Sequence, residues 1–137
     1  MAESSTHMMF VNRLVEEAEK IVPSNNKSLI YSDKPTSLSK PPRTNENFVP
    51  DLYYCFKDLL IIGEAKTADD VEREHSLSQY ESYVEAAISF KGKSILIFAS
   101  PWFTKNTMKN NIRKIFKKYN SHIECRFLTE LGEAEII

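Results

Sequence analysis

No apolar run in this 137-residue chain approaches the roughly 18 to 20 residues that a membrane-crossing helix needs, and the N-terminus lacks the basic, apolar, small-residue order of a secretory leader. A cytoplasmic protein with no membrane partner is the expectation. Cysteine is scarce: Cys55 and Cys125 stand far apart without clustered histidine, which excludes a zinc site and leaves two reduced core thiols. Three glycines and six prolines leave few breaks, and the prolines fall mostly at expected loops or strand starts. His7, His75 and His122 are scattered, so no Ser/His/Asp arrangement stands out, and His7 belongs to residues 1–7, expected to be mobile. Net charge is nearly missing too, at -1, which by itself argues neither for nor against nucleic acid.

What is present is ordinary globular material, 42% hydrophobic and 27% charged, enough for one domain with a core. Helical spacing of apolar residues predicts a helix over Met8 to Val22, ended by Pro23. Lys27 to Ser32 reads as a short strand, and Ser32 to Asn47 as a long polar, proline-marked loop. Phe48 to Phe56 and Leu59 to Lys66 read as an antiparallel hairpin turned by Lys57-Asp58, the second strand central and covered on both faces. A helix is expected over Val71 to Phe90 with Leu77, Tyr80, Val84, Ala87 and Ile88 inward. The strand Ser94 to Ala99, the amphipathic helix Thr104 to Tyr119 and the strand Ile123 to Thr129 follow. This order makes an α/β fold around a mixed sheet, with no internal repeat and no second domain.

The hairpin raises a chemical question. Asp51, Glu64 and Lys66 stand on strands that look built for burial, and buried charge is costly unless paired or bound to metal. Residues two apart on a strand share a face about 7 Å apart, so Glu64 and Lys66 point the same way, and Asp51 faces them across the hairpin. Two converging carboxylates make a hard oxygen site suited to Mg²⁺ or Mn²⁺. Lys66 beside it can orient or deprotonate a water, or stabilise accumulating negative charge. The plainer reading is an ordinary hairpin whose Glu64 and Lys66 emerge at a solvated strand end. On the next helix Gln79 and Tyr83, at i and i+4, share a face.

Pro50-Asp51, then Glu64-Ala65-Lys66 closing an apolar strand, then Gln79 and Tyr83 together resemble the PD-(D/E)XK nuclease superfamily, and the Gln-x-x-x-Tyr element is similar to its RecB-like branch. The resemblance runs from the first helix to the Ser94 to Ala99 strand. It implies a restriction-endonuclease-like fold, a mixed central sheet flanked by helices with an αβββαβ core plus a C-terminal helix and strand. It further implies a Mg²⁺-dependent deoxyribonuclease, an endonuclease, in which Mn²⁺ substitutes. Asp51, Glu64 and the Ala65 carbonyl would hold metal, Lys66 would position the attacking water, and Gln79 and Tyr83 would arrange the site. Many members add a Glu from the first helix, and here Glu17, at the edge of the apolar face, is the choice over Glu16.

Charge is segregated along the chain. Asp58 to Glu85 holds eight acids and two bases, and Lys91 to Arg126 holds nine bases and one acid. Lys105, Lys109, Arg113 and Lys117, spaced by four, form one helical row expected opposite the buried side, a candidate track for DNA phosphates beside the plainer reading of a solvated face. Lys34, Lys40 and Arg43 offer a second basic contact, and Trp102, Phe103 and Tyr119 offer rings for base stacking, although packing is the commoner use of a lone tryptophan. The acids Asp69 or Asp70 are expected to start the helix before Gln79. DNA is the expected partner, with a homodimer or larger nuclease complex as further possibilities. The rival readings are a non-catalytic DNA-binding or protein-interaction module of the same fold, and an unrelated α/β interaction protein.

Overall fold

The structure is a computed structural model that describes residues 5–33, 41–43 and 47–137. Apolar residues recurring every three or four positions wind Ser5–Ile21 into helix α1, which buries Phe10, Val11, Leu14 and Ala18 and stops ahead of Pro23. A 3-10 turn over Ser24–Leu29 leads into strand β1, Tyr31–Ser32. Strands β2, Leu52–Phe56, and β3, Leu59–Ala65, form an antiparallel hairpin whose tight turn holds Lys57 at a φ of 54°. Helix α2, Glu74–Ser89, crosses to strand β4, Lys93–Ala99. Helix α3, Lys105–Tyr119, crosses to strand β5, Glu124–Leu128, and strand β6, Glu135–Ile136, follows.

The six strands lie in sequence order across one sheet. β3, β4 and β5 run parallel, and β1, β2 and β6 run antiparallel to their neighbours. Helices cover both faces of β3 and β4, which is why these strands are apolar at nearly every position. On one face α1 packs Phe10, Leu14 and Ala18 against Leu52, Ile61, Ile95 and Ile97. On the other, Tyr80 and Val84 of α2 and Met108 and Ile112 of α3 pack against Leu60, Ile62, Leu96 and Phe98. Gly63 serves the close approach of α1: a Cβ there would stand 3.1 Å from the Leu52 Cβ and 3.5 Å from a Leu14 methyl. No helix among the described residues is long and apolar enough to cross a membrane.

Several local expectations are corrected. Ser5, Thr6 and His7 belong to α1 rather than to a mobile terminus, because His7 precedes Phe10 by three and Leu14 by seven and so continues the packed face. Lys27 to Ser32 is not one strand, since the polar start favours the 3-10 turn and only two residues pair. Residues 48–51 precede β2, as Pro50 has no N–H to give a ladder. Asp69 and Asp70 do not start α2; Arg73 holds the N-cap position, while Asp70 accepts the Thr67 hydroxyl at 3.0 Å within the preceding turn. Leu77 is exposed because Gln79, Tyr80 and Tyr83 define the buried face of α2. Cys125 is buried as expected, but Cys55 is exposed, since burial along β2 ends after Tyr54. Within the long loop, residues 34–40 and 44–46, with Lys34 and Lys40, lie outside the described residues.

Candidate functional site

The hairpin register sets Leu52 opposite Gly63 and so brings Asp51 level with Glu64 at the end of β3. Alternation along each strand sends Leu52 and Gly63 toward α1 and turns Asp51 and Glu64 toward α2. The backbone fixes Asp51 from three sides. Its carbonyl accepts the Asp33 N–H at 2.8 Å, its own N–H donates to Glu64 Oε1 at 3.3 Å, and its Oδ2 accepts the Ala65 N–H at 2.9 Å. Carboxylates here replace the ladder bonds that would extend the β2–β3 pairing. In an extended strand the carbonyl lies on the same edge as the N–H of its residue, so the Ala65 oxygen also faces the Asp51 side.

Glu64, only 4% exposed, accepts the Tyr83 hydroxyl at 3.2 Å and pairs through Oε2 with Lys66 Nζ at 3.1 Å. The Lys66 ammonium also donates to Gln79 Oε1. Gln79 and Tyr83 stand one turn apart on the buried face of α2, which is how the helix reaches both ends of the Glu64–Lys66 pair. Asp51, Glu64, Lys66, Gln79 and Tyr83, all selected from sequence, thus form one buried network.

Its charges do not balance. Two carboxylates share one ammonium, and burial pushes the Glu64 carboxyl up to about 8, with Asp51 adding to the rise and Lys66 and Tyr83 opposing it. Burial, then Glu64 and Asp51, likewise push the Tyr83 hydroxyl well above its ordinary value, so it remains a donor. A buried site with a surplus negative charge and hard oxygen donors suits a small divalent cation. Among the described residues no group of three His, Cys, Asp or Glu side chains is gathered for a metal ion. A cation here would complete its shell with backbone, water and substrate oxygens.

One contact was missed in the sequence. His7 Nε2 stands 3.3 Å from Asp51 Oδ2, bringing α1 to the cluster from the opposite face. Its helical phase with Phe10 and Leu14 was the available signal. Glu17, by contrast, is not brought there. It lies ten residues beyond His7, roughly 15 Å along the helix, and its carboxylate is held by Arg126 Nη1 at 2.8 Å and Lys20 Nζ at 3.7 Å. Glu17 is buried, as its place on the apolar face suggests, but its company is cationic.

The basic row is also divided. Lys105 pairs with Glu135 of β6 at 2.8 Å, and Lys109 pairs with the other oxygen of the same carboxylate. Hydrogen bonds from Lys105 and then Lys109 hold the Glu135 carboxyl down to about 2. Of the row, Arg113 and Lys117 are exposed, beside a hollow shared with Phe116, Asn120 and His122. The row therefore does not lie opposite the buried side throughout: the Lys109 side chain is just 12% exposed. Tyr119 gives its hydroxyl to Glu85 and packs against the α2–α3 core, whereas Trp102 and Phe103 are exposed.

Comparison with known proteins found no family model, no curated protein and no solved structure that matches this chain.

Proposed function

We propose that the protein is a metal-dependent deoxyribonuclease of the PD-(D/E)XK type, with a restriction-endonuclease-like arrangement of its sheet, cutting DNA phosphodiester bonds internally. The observation that carries this reading is the buried Asp51–Glu64 pair with a single ammonium, Lys66, between it and α2. An acid pair of this kind is unfavourable in an apolar core and becomes favourable once a divalent cation is bound. Asp51, Glu64 and the Ala65 carbonyl would hold Mg²⁺ or Mn²⁺. When bound, the ion supplies a Lewis acid for the phosphoryl oxygen and lowers the pKa of a coordinated water.

The remaining residues have distinct tasks. Lys66 presents its ammonium beside Glu64, where it would orient the entering water or stabilise negative charge that accumulates on the phosphate. Gln79 fixes that ammonium, and Tyr83 fixes the Glu64 carboxylate, each by one hydrogen bond. His7 steadies Asp51 from α1 and adds a nitrogen donor at the edge of the site.

The test is incubation with linear and closed-circular DNA in Mg²⁺, Mn²⁺ or EDTA, beside Asp51→Ala and Lys66→Ala. Cutting should need the metal, and each variant should lose more than the roughly 10–100-fold that removal of an orienting partner costs. Opening of closed circles identifies an endonuclease. Salt-sensitive DNA binding without metal-dependent cutting would instead favour a non-catalytic binding module.

A further inference from the structure

The strand that pairs with β3 leads to an exposed aromatic step. Ala99 lies level with Ala65, and the Ala99 carbonyl accepts the Lys66 N–H at 2.9 Å. Three residues on, Trp102 and Phe103 are 60% and 61% exposed, with ring centroids 5.8 Å apart and planes at 84°. Glu64 lies level with Phe98, so at no more than about 3.5 Å per residue plus about 4.8 Å between strands the Trp102 backbone is within roughly 20 Å of the Glu64 backbone, a span of only a few nucleotides.

The base of this step is firmly held while its rings are not covered. The Trp102 N–H donates to Glu130 Oε1 at 2.7 Å, and the Pro101 carbonyl accepts both the Thr104 N–H at 2.9 Å and its hydroxyl at 2.8 Å. Leu131, which follows Glu130 in the chain, is also 63% exposed. Helix α3 begins at once behind Trp102 and Phe103 and carries six bases and no acid over Lys105–Tyr119, of which Lys105, Lys109 and Lys118 are paired with Glu135 or Glu81, while Arg113, Lys114 and Lys117 are exposed. Exposed rings beside a cationic helix fit a ligand that has both apolar π-faces and a polyanionic backbone. Duplex DNA hides its base faces within the stack, whereas an unpaired strand presents them.

We infer that Trp102 and Phe103 form a stacking platform for unpaired bases of the strand that enters the Asp51–Glu64 site, which makes DNA with a single-stranded stretch the preferred substrate. This rests on the nuclease reading for what happens at the site, but the stacking itself can be measured without cutting.

Trp102 is the one tryptophan of the chain, so its fluorescence reports the platform directly. In EDTA the protein is titrated with a dT oligonucleotide of about 16 nucleotides and with a hairpin-closed duplex of equal charge. The unpaired strand should quench Trp102 and bind more tightly than the duplex. Phe103→Ala, which keeps the reporter, and Trp102→Ala, followed by anisotropy, should each weaken single-strand binding roughly ten-fold and leave duplex binding unchanged. Circular dichroism checks that both variants fold. Equal affinities without quenching would overturn the inference, as would tryptophan emission that changes with protein concentration alone, which would assign the ledge to a second copy. Repeating the set in Mg²⁺ separates the two readings. Metal-dependent cutting without quenching keeps the nuclease and removes the platform, and quenching without cutting does the reverse.

Discussion

The two faces of the sheet bury acids in opposite company. On the α1 face Glu17 meets Arg126, which also binds Glu124 at 3.1 Å, and Lys20 approaches from the same helix. Lys93 also reaches Glu124 at 3.4 Å, so among the described residues two acids meet three bases there. On the α2 face Glu64 meets another acid, Asp51, and among the described residues one lysine, Lys66, pairs with it, while His7 stands 3.3 Å from Asp51. The first group is electrically complete within the protein, while the second is left with a surplus negative charge that a proton or a bound cation must answer. Burial of an acid alone does not mark a functional group; the sign of what it is buried against does.

Breaking the complete side should have the larger effect on stability. Glu17→Ala removes the closest acid from Arg126, and we expect a loss of about 2–3 kcal/mol, less than the 3–5 of a fully enclosed pair because the Arg126 side chain is 20% exposed. Replacing both members, Glu17→Met with Arg126→Met, should recover most of that loss, since of the charges that lose a partner Lys20 is solvent-exposed and Glu124 keeps Lys93 at 3.4 Å. Urea unfolding measures each variant. If the single substitution is nearly neutral, the α1 pair contributes nothing that distinguishes it from a surface contact.

The incomplete side should show itself through pH. The Glu64 carboxyl is raised from 4.5 to about 8 on folding, so the folded protein holds an extra proton in that interval. Its contribution to stability is fully present below the unfolded value and is lost as pH climbs through the folded value, with a slope of at most about 1.4 kcal/mol per pH unit. In EDTA, melting temperature should therefore fall between pH 4.5 and 8. Glu64→Gln should flatten that decline, and Mg²⁺ should restore the wild-type protein most at the alkaline end. Parallel profiles for wild type and Glu64→Gln would remove Glu64 as the source of the imbalance.

The same contrast explains what was legible beforehand. Alternation on a hairpin brings Asp51, Glu64 and Lys66 together within a short stretch of chain, and a four-residue step puts Gln79 and Tyr83 on one helix face, which the resemblance to the nuclease superfamily ties to the site. The α/β order and the central place of β3 followed from continuous apolar runs. The pairing of Glu17 with Arg126 was not legible, because the two are 109 residues apart and no local pattern carries across that separation. Glu135 escaped for a related reason: β6 is two residues long, too short to show alternation, yet it places a carboxylate beside Lys105 and Lys109. His7 was within reach of the helical pattern but was discarded with the terminus. Local periodicity says which way a side chain points; it does not say which distant charge it meets.

Helix α3 repeats the comparison on a smaller scale, and it yields the smallest effect. Lys105 and Lys109 are closed by Glu135, whereas Arg113 and Lys117 stand open. A base already bound to a carboxylate must leave it before it can displace a counterion from DNA, so its share of the salt dependence is reduced. Arg113→Ala and Lys117→Ala should each lower the slope of log affinity against log salt by about 0.9, and Lys105→Ala and Lys109→Ala by distinctly less. Glu135→Gln sharpens the contrast, since it frees two ammonium groups and should steepen the slope. Anisotropy titrations in EDTA at several salt concentrations read all five. Equal losses for the four bases, with no change for Glu135→Gln, would mean that DNA outcompetes Glu135 for both lysines and that the whole row acts as one track.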